Sequence, residues 1–235
     1  MVTSPDTMDT AATPFSEPPA GTGALRAGAL RADARRNRER IVAAARVVFA
    51  EQGLGASLNE VARRAGVGLA TLLRRFPSRD QLVAAALGDR MGDFAAQVER
   101  ALADPDPWHG FCGLVERVCA MQAGDRGFTE ALTQAFPGSG EFEELREQAY
   151  RRIVELFDRA KAAGRLRPDL SPHDFPMLLM ANAGVVTATA GLAPATSPRL
   201  IACLLQAFSA DSTRPLPPPP SWDEMNQVLL RYDGD

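Results

Sequence analysis

Residues 57–76, Ser57-Leu-Asn-Glu-Val-Ala-Arg-Arg-Ala-Gly-Val-Gly-Leu-Ala-Thr-Leu-Leu-Arg-Arg-Phe76, read as two short amphipathic segments joined by a Gly66-Val67-Gly68 turn. Ser57-x-x-Glu60 has the spacing of a capping box, in which each side chain satisfies the other's backbone N–H. The apolar stripe Leu58, Val61, Ala62 and Ala65 then predicts one helix, stopped by Gly66. A second, shorter helix carries Leu72, Leu73 and Phe76 and ends at Pro77, because the residue before a proline is pushed out of the α region. The flanks fit the same scheme. Upstream, Ile41, Ala44, Ala45, Val48 and Phe49 form a helical stripe that ends at Gly53. Downstream, Ser78-Arg-Asp-Gln81 is a second capping-box pattern, and it opens a long helix with Leu87, Met91, Phe94 and Val98 on one side, running to about Asp104. The segment 57–76 is therefore expected to be a helix-turn-helix framed by two further helices.

Charge is divided unevenly around this motif. Between Leu25 and Leu82 twelve arginines face five acids, so this stretch carries +7 and leaves −10 on the rest of a chain whose net charge is −3. A basic module on an acidic body is the electrostatic footprint of a surface that meets a polyanion. A short helix held in this way fits the ~12 Å major groove of DNA, its N-terminal residues reading bases while flanking cations hold phosphates.

Every other segment with an apolar pattern also has helical period, and no strand-like alternation occurs, so the fold class is all-α. Asp104-Pro-Asp-Pro107 breaks the chain before an apolar face of Trp108, Phe111, Val115 and Cys119. A short helix around Phe128–Phe136 precedes Pro137-Gly-Ser-Gly140, and a long amphipathic one runs from Glu141 to Ala163, with Gly164 as its stop. Ser171-Pro172 and Ser197-Pro198 each place an N-cap before a first-turn proline, launching two final helices. The expected organisation is a disordered tail (1–30), a helix-turn-helix domain (31–92), a ligand-binding and dimerisation domain (93–210), and a proline-rich tail (211–235) in which Trp222, Val228 and Leu229 dock a short terminal helix. No apolar run approaches the roughly 20 residues of a membrane span. The first residues lack the basic start and apolar core of a secretory signal. Cys112, Cys119 and Cys203 are too few and too uneven for a disulfide frame, which points to a cytoplasmic protein. With no Gly-rich phosphate loop, nucleophile elbow or His–carboxylate pairing, the sequence assigns neither enzymatic activity, cofactor nor metal.

RERIVAAARVVFAEQG (38–53) followed by SLNEVARRAGVGLATLLRRFPSRDQL (57–82) resembles the DNA-binding domain of TetR-family regulators, the likeness extending from about Arg35 to Met91. DPWHGFCGLVERVCAMQAGDRG (106–127) is similar to an SbtR-like branch. The resemblance implies a ligand-responsive transcriptional repressor that binds a palindromic double-stranded operator as a homodimer. It puts Ser57 at the cap of the second helix on a phosphate, Asn59 within reach of a base, and Gly68, Leu69 and Ala70 at the start of the recognition helix. It also implies phosphate contacts for Thr71 and Arg75 and a backbone clamp at Arg79. Leu73 departs from the tyrosine common in the family and Leu69 from a residue that is often polar, so base readout would rest on Arg74, Asn59 and apolar contact with thymine methyls. The family's pocket would here be lined by Trp108, Phe111, Cys112, Val115, Cys119, Phe128, Phe136, Met180 and Asn182, implying an apolar small-molecule effector.

Each of these lining residues reads equally as core. Two alternatives keep the fold and change the function. Cys112 and Cys119, with His109, share a helical face, as a thiol or metal sensor of the same fold would need; a helical adaptor that does not bind DNA leaves the +7 segment without a purpose.

Overall fold

The computed structural model describes residues 21–133, 140–189, 192–212, 214–221, 223, 224 and 227. Among these residues the chain is all-α, with nine helices and one isolated antiparallel bridge, Leu166–Ser209. The helices are α1 (Gly21–Gln52), α2 (Leu58–Ala65), α3 (Leu69–Arg75), α4 (Arg79–Leu102), α5 (Pro107–Ala123), α6 (Arg126–Ala131), α7 (Glu141–Ala162), α8 (Asp174–Thr189) and α9 (Thr196–Phe208). The expected terminal helix with Trp222, Val228 and Leu229 lies outside the described residues, as does Phe136.

α1 begins at Gly21, so a helix replaces the last third of the expected tail. Residues 24–36 are dense in Ala, Leu and Arg, residues of high helix propensity. The chain through Asn37 is a unit of its own, carrying an Arg36–Asp33 ion pair one turn apart.

In the second unit, from Arg38 onward, Ile41, Ala45, Val48 and Phe49 of α1 are buried with Val61, Ala62 and Ala65 of α2 and with Leu72 and Phe76. α2 ends where Gly66 turns left-handed (φ 63°) and returns its N–H to Ala62 and Arg63 carbonyls. Arg40 of α1 closes this terminus by donating to the carbonyls of Ala65 and Gly66, placing a cation where the helix dipole is negative. A Cβ on Gly66 would stand 2.6 Å from that guanidinium.

The capping box at Ser57 does not form as expected. Ser57 Oγ accepts from the Asn59 N–H (3.2 Å), and the Glu60 carboxylate turns to Arg63 (2.7 and 2.8 Å) and Arg64 (3.0 Å). Charge-assisted bonds to guanidinium outcompete a bond to a neutral amide, and Arg63 first, then Arg64, hold Glu60 well below the ordinary carboxylate range. At the start of α4, Ser78 Oγ does accept from the Gln81 N–H (3.2 Å). The reciprocal box is found at Ser171: its N–H donates to the Asp174 carboxylate (2.6 Å) while its Oγ accepts from His173 N–H (3.3 Å). Ser197 is not a cap. α9 starts one residue earlier, and the Ser197 hydroxyl donates to Asn182 Oδ1 (2.7 Å).

The turn between α1 and α2 is gripped from two directions. Leu54 N–H donates to Glu130 Oε2 of α6 (2.6 Å), and Arg79 of α4 donates to the carbonyls of Leu54 and Ala56. Gly53 permits this approach with φ 83°, since a Cβ would fall onto the Glu130 carboxylate. α6 lies so close to α1 that a Cβ on Gly127 would sit 2.9 Å from the Phe49 carbonyl oxygen.

α4 runs without interruption across residue 92, from its start just after the helix-turn-helix to its packing against α5 and α7. α5 touches α6, α7, α8 and α9. Phe111 stands edge-on to Phe157 (5.1 Å) and Phe128 edge-on to Phe94 (6.5 Å), and all four are buried. A buried polar cluster joins α5, α8 and α9: Asn182 Nδ2 donates to Gln122 Oε1 (2.9 Å), Gln122 Nε2 to the Leu179 carbonyl (3.2 Å), and Ser197 closes the chain.

Candidate functional site: a helix-turn-helix face and two cavities

α3 is anchored by Leu72, which is fully buried, and by Phe76 just beyond its end. Its other side is outward. Ala70, Leu73, Arg74 and Arg75 are exposed, and Leu69 and Thr71 are half-buried. Leu73, which the sequence leaves undecided between core and contact, is 42% exposed and belongs to the outer face. Arg74 donates to Thr71 Oγ1 (3.1 Å), so the two share one position on that face. On α2, Ser57 and Asn59 are exposed beside it, and Gly68 caps α3 through backbone alone. Nine of the ten candidate DNA-contact positions thus lie at the surface of the helix-turn-helix or at the caps that shape it.

Arg79 is half-buried, and its Nη1 donates to the carbonyls of Leu54 and Ala56, so it also clamps the α1–α2 turn of its own chain. Sequence alone cannot separate a cation facing phosphate from one facing a carbonyl two helices away. Reasoning from the sequence also passed over Arg38, whose guanidinium lies 5.3 Å above the Phe76 ring.

The residues expected to line the pocket are mostly interior. Phe111, Val115, Cys119 and Phe128 are buried in the core, where they pack against other side chains. Asn182 is buried, and its amide is consumed by Gln122 and Ser197. Trp108 stacks on Phe111 at 5.7 Å, and neither it nor half-buried Cys112 and Met180 lines either cavity described below. One cavity, of about 380 Å³, opens between α4, α7 and α8, lined by Phe94, Leu132, Tyr150, Ile153, Phe175 and Leu179, with Arg146 and Arg151 beside them. A second, of about 610 Å³, lies where the end of α3 meets α4 and the start of α7. Phe94, Ile153 and Phe175 belong to apolar stripes the sequence shows plainly, but a stripe does not reveal which of its members face a void.

Burial pushes the Cys119 thiol up to about 12 and the Cys112 thiol to about 11, far from the reactive thiolate at neutral pH. His109 Nδ1 is paired with Asp104 (2.7 Å), which raises its pKa. Among the described residues no group of three His, Cys, Asp or Glu side chains could hold a metal ion. Alkylation at pH 7.5 is expected to reach Cys112 and Cys119 only on unfolding, as mass spectrometry of timed samples would show.

The helix-turn-helix, its framing helices and the helical body define a class of regulator. A sequence model of the bacterial regulatory proteins of the tetR family matches residues 41–86, and one of the transcriptional regulator SbtR-like C-terminal domain matches 106–207. Together they cover more than half of the chain, which belongs to the TetR family of bacterial transcriptional regulators. The HTH-type transcriptional repressor KstR of Mycobacterium tuberculosis is 31% identical over 139 residues, 57% of this chain and 63% of KstR. KstR of Mycolicibacterium smegmatis is 34% identical over 104 residues, covering 43% and 51%. This chain thus matches less than two thirds of the length of either repressor. Among solved structures, the ketosteroid transcriptional regulator KstR2 of Mycobacterium tuberculosis shares the fold, with 19% identity, 73% of this chain and 94% of KstR2 covered, and a TM-score of 0.54. These relatives are transcriptional regulators, and among the described residues no helix is long and apolar enough to cross a membrane.

Proposed function

We propose that this protein is a transcriptional repressor that binds a palindromic operator in the cytoplasm as a homodimer and releases it when an apolar small molecule binds. The observation that carries the reading is the outer face of α3. Leu72 and Phe76 hold the helix from below, while Ala70, Leu73, Arg74 and Arg75 are turned to solvent within a segment of charge +7. Two such helices, one per protomer, would enter successive major grooves ~34–36 Å apart. Leu73 suits a thymine methyl, and Arg74 suits guanine O6 and N7.

The electrostatic half of this reading has a direct measurement. The logarithm of the DNA-binding constant should fall linearly with the logarithm of salt concentration, by about 0.9 for every phosphate neutralised. A slope near zero by fluorescence anisotropy between low and physiological salt would overturn it. Arg74→Ala should cost about 1–3 kcal/mol at one base pair and relax preference there. Equal losses on operator and random DNA would make Arg74 a phosphate ligand instead.

The effector is proposed to occupy the cavity between α4, α7 and α8, whose volume and mainly apolar walls suit a small organic molecule. Phe94 ties that cavity to α4, and Leu132 ties it to the end of α6. From there the path to the DNA-binding helices is short: α6 holds the α1–α2 turn through Glu130 and α4 holds it through Arg79. Coupling of ~1–3 kcal/mol, typical of allosteric proteins, is enough to move operator affinity 5–150-fold.

A further inference from the structure

The 610 Å³ cavity at the exit of α3 is separate from the proposed effector cavity and shares no lining residue with it. Its floor on α4 is made of Ala84, Ala85 and Gly88, with Phe76 and Phe142 among the apolar walls. Gly88 is in the middle of a 24-residue helix, where glycine costs ~1 kcal/mol relative to alanine. No close neighbour requires it: a Cβ built there meets nothing within 4 Å. The absent side chain leaves the cavity open.

The charges around the cavity are unbalanced. Asp89 is neutralised by Arg46 (2.5 Å), which leaves Glu141 as the one acid against Arg38 and Arg75. Neither arginine has a hydrogen-bond or ion-pair partner among the described residues, and Arg38 rests over the Phe76 ring. A ring is the weaker partner for a guanidinium. A carboxylate can take two parallel N–H bonds from the same group, and Phe76 and Phe142 offer apolar contacts to an attached aromatic ring.

We infer that this cavity is a binding site for a planar aromatic monoanion, held by Arg38 and Arg75 above the floor of Ala84, Ala85 and Gly88. The volume is within the range of small-molecule sites. Occupancy has a consequence that rests on the proposed DNA reading. Arg75 cannot face a carboxylate and a phosphate at once, so the anion and DNA compete.

The binding test needs no DNA, so its failure leaves the repressor reading intact. The full chain would be titrated with 2-naphthoate by calorimetry, with neutral 2-naphthalenemethanol as control. One site per chain is expected, with the alcohol weaker by tenfold or more, about the loss of one charge-assisted hydrogen bond. Arg38→Gln and Arg75→Gln should each weaken naphthoate by a similar factor. Gly88→Leu should abolish binding while leaving the melting temperature equal or higher. Arg151→Gln, at the other cavity, should leave naphthoate affinity unchanged. If the alcohol binds as well as the acid, or if Arg151→Gln removes binding and Gly88→Leu does not, the inference is overturned. An unchanged DNA affinity at saturating naphthoate would overturn the competition.

Discussion

Phe111→Ala is expected to lower unfolding free energy by about 3–5 kcal/mol, as deletion of a fully enclosed aromatic side chain does. Phe111 is wholly buried, with Trp108 stacked on one side and Phe157 edge-on against it, so truncation opens a void that neither ring can fill without leaving its rotamer. The prediction distinguishes core from pocket, because a residue on a ligand wall already borders empty space and loses fewer contacts when shortened. Urea denaturation of the two proteins would measure it. A loss below about 1 kcal/mol, accompanied by a changed effector response, would return Phe111 to the ligand wall where sequence reasoning put it. Asn182→Leu makes the complementary case, since it strands Gln122 and Ser197 in a dry interior; the cost expected is about 1–3 kcal/mol for each buried polar group left without a partner.

Ala181→Arg is expected to convert a dimer into a monomer and to reduce operator affinity by 10²- to 10⁴-fold, the range over which two linked binding events exceed one. The reasoning starts from what α8 leaves uncovered. Met177, Ala181, Gly184 and Ala188 are spaced 4, 3 and 4 residues apart and all are exposed, giving one uncharged stripe of mostly small side chains. On α9, Ala202, Cys203 and Ala207 are likewise exposed. Packed against their two-fold mates, these stripes would make a four-helix interface, and an arginine in its centre would be a buried charge with no partner. The substitution is at the surface of the protomer, so circular dichroism and melting temperature should hold while light scattering reports the smaller mass. Persistence of the dimer would place the interface elsewhere.

The sequence pattern around the helix-turn-helix translates directly into structure because its signals are local. Gly53 and Gly66 both adopt positive φ, α3 ends before Pro77, and the stripes of α1, α2 and α4 are buried apart from half-buried Ala44 and Leu58. Where several partners compete for one group, locality fails. Glu60 could serve a backbone amide or two arginines, and Arg79 could serve DNA or two carbonyls; only the folded geometry decides. The dimer surface shows the same limit. Of the apolar residues of α8 and α9, Phe175, Leu178, Leu179, Ile201 and Leu205 are consumed by their own protomer's core, leaving Val185, Val186, Leu204 and Phe208 half-buried. Cavities are less legible still, since a side chain beside a void has the same identity as one beside a neighbour.

The Leu54 amide has one further property. Its proton points at a carboxylate oxygen only 2.6 Å from the nitrogen, and that carboxylate belongs to α6 while the amide belongs to the turn that launches α2. Few backbone amides bridge two such elements through a charged acceptor. In a proton–nitrogen correlation spectrum this resonance would act as a resident gauge, far downfield while α6 is seated and drifting toward the random-coil position as it lifts. Its exchange with deuterium would time the same motion. With uniform nitrogen-15 enrichment as the only change to the protein, one backbone signal would report whether a molecule added to either cavity has loosened the hold on the DNA-binding helices.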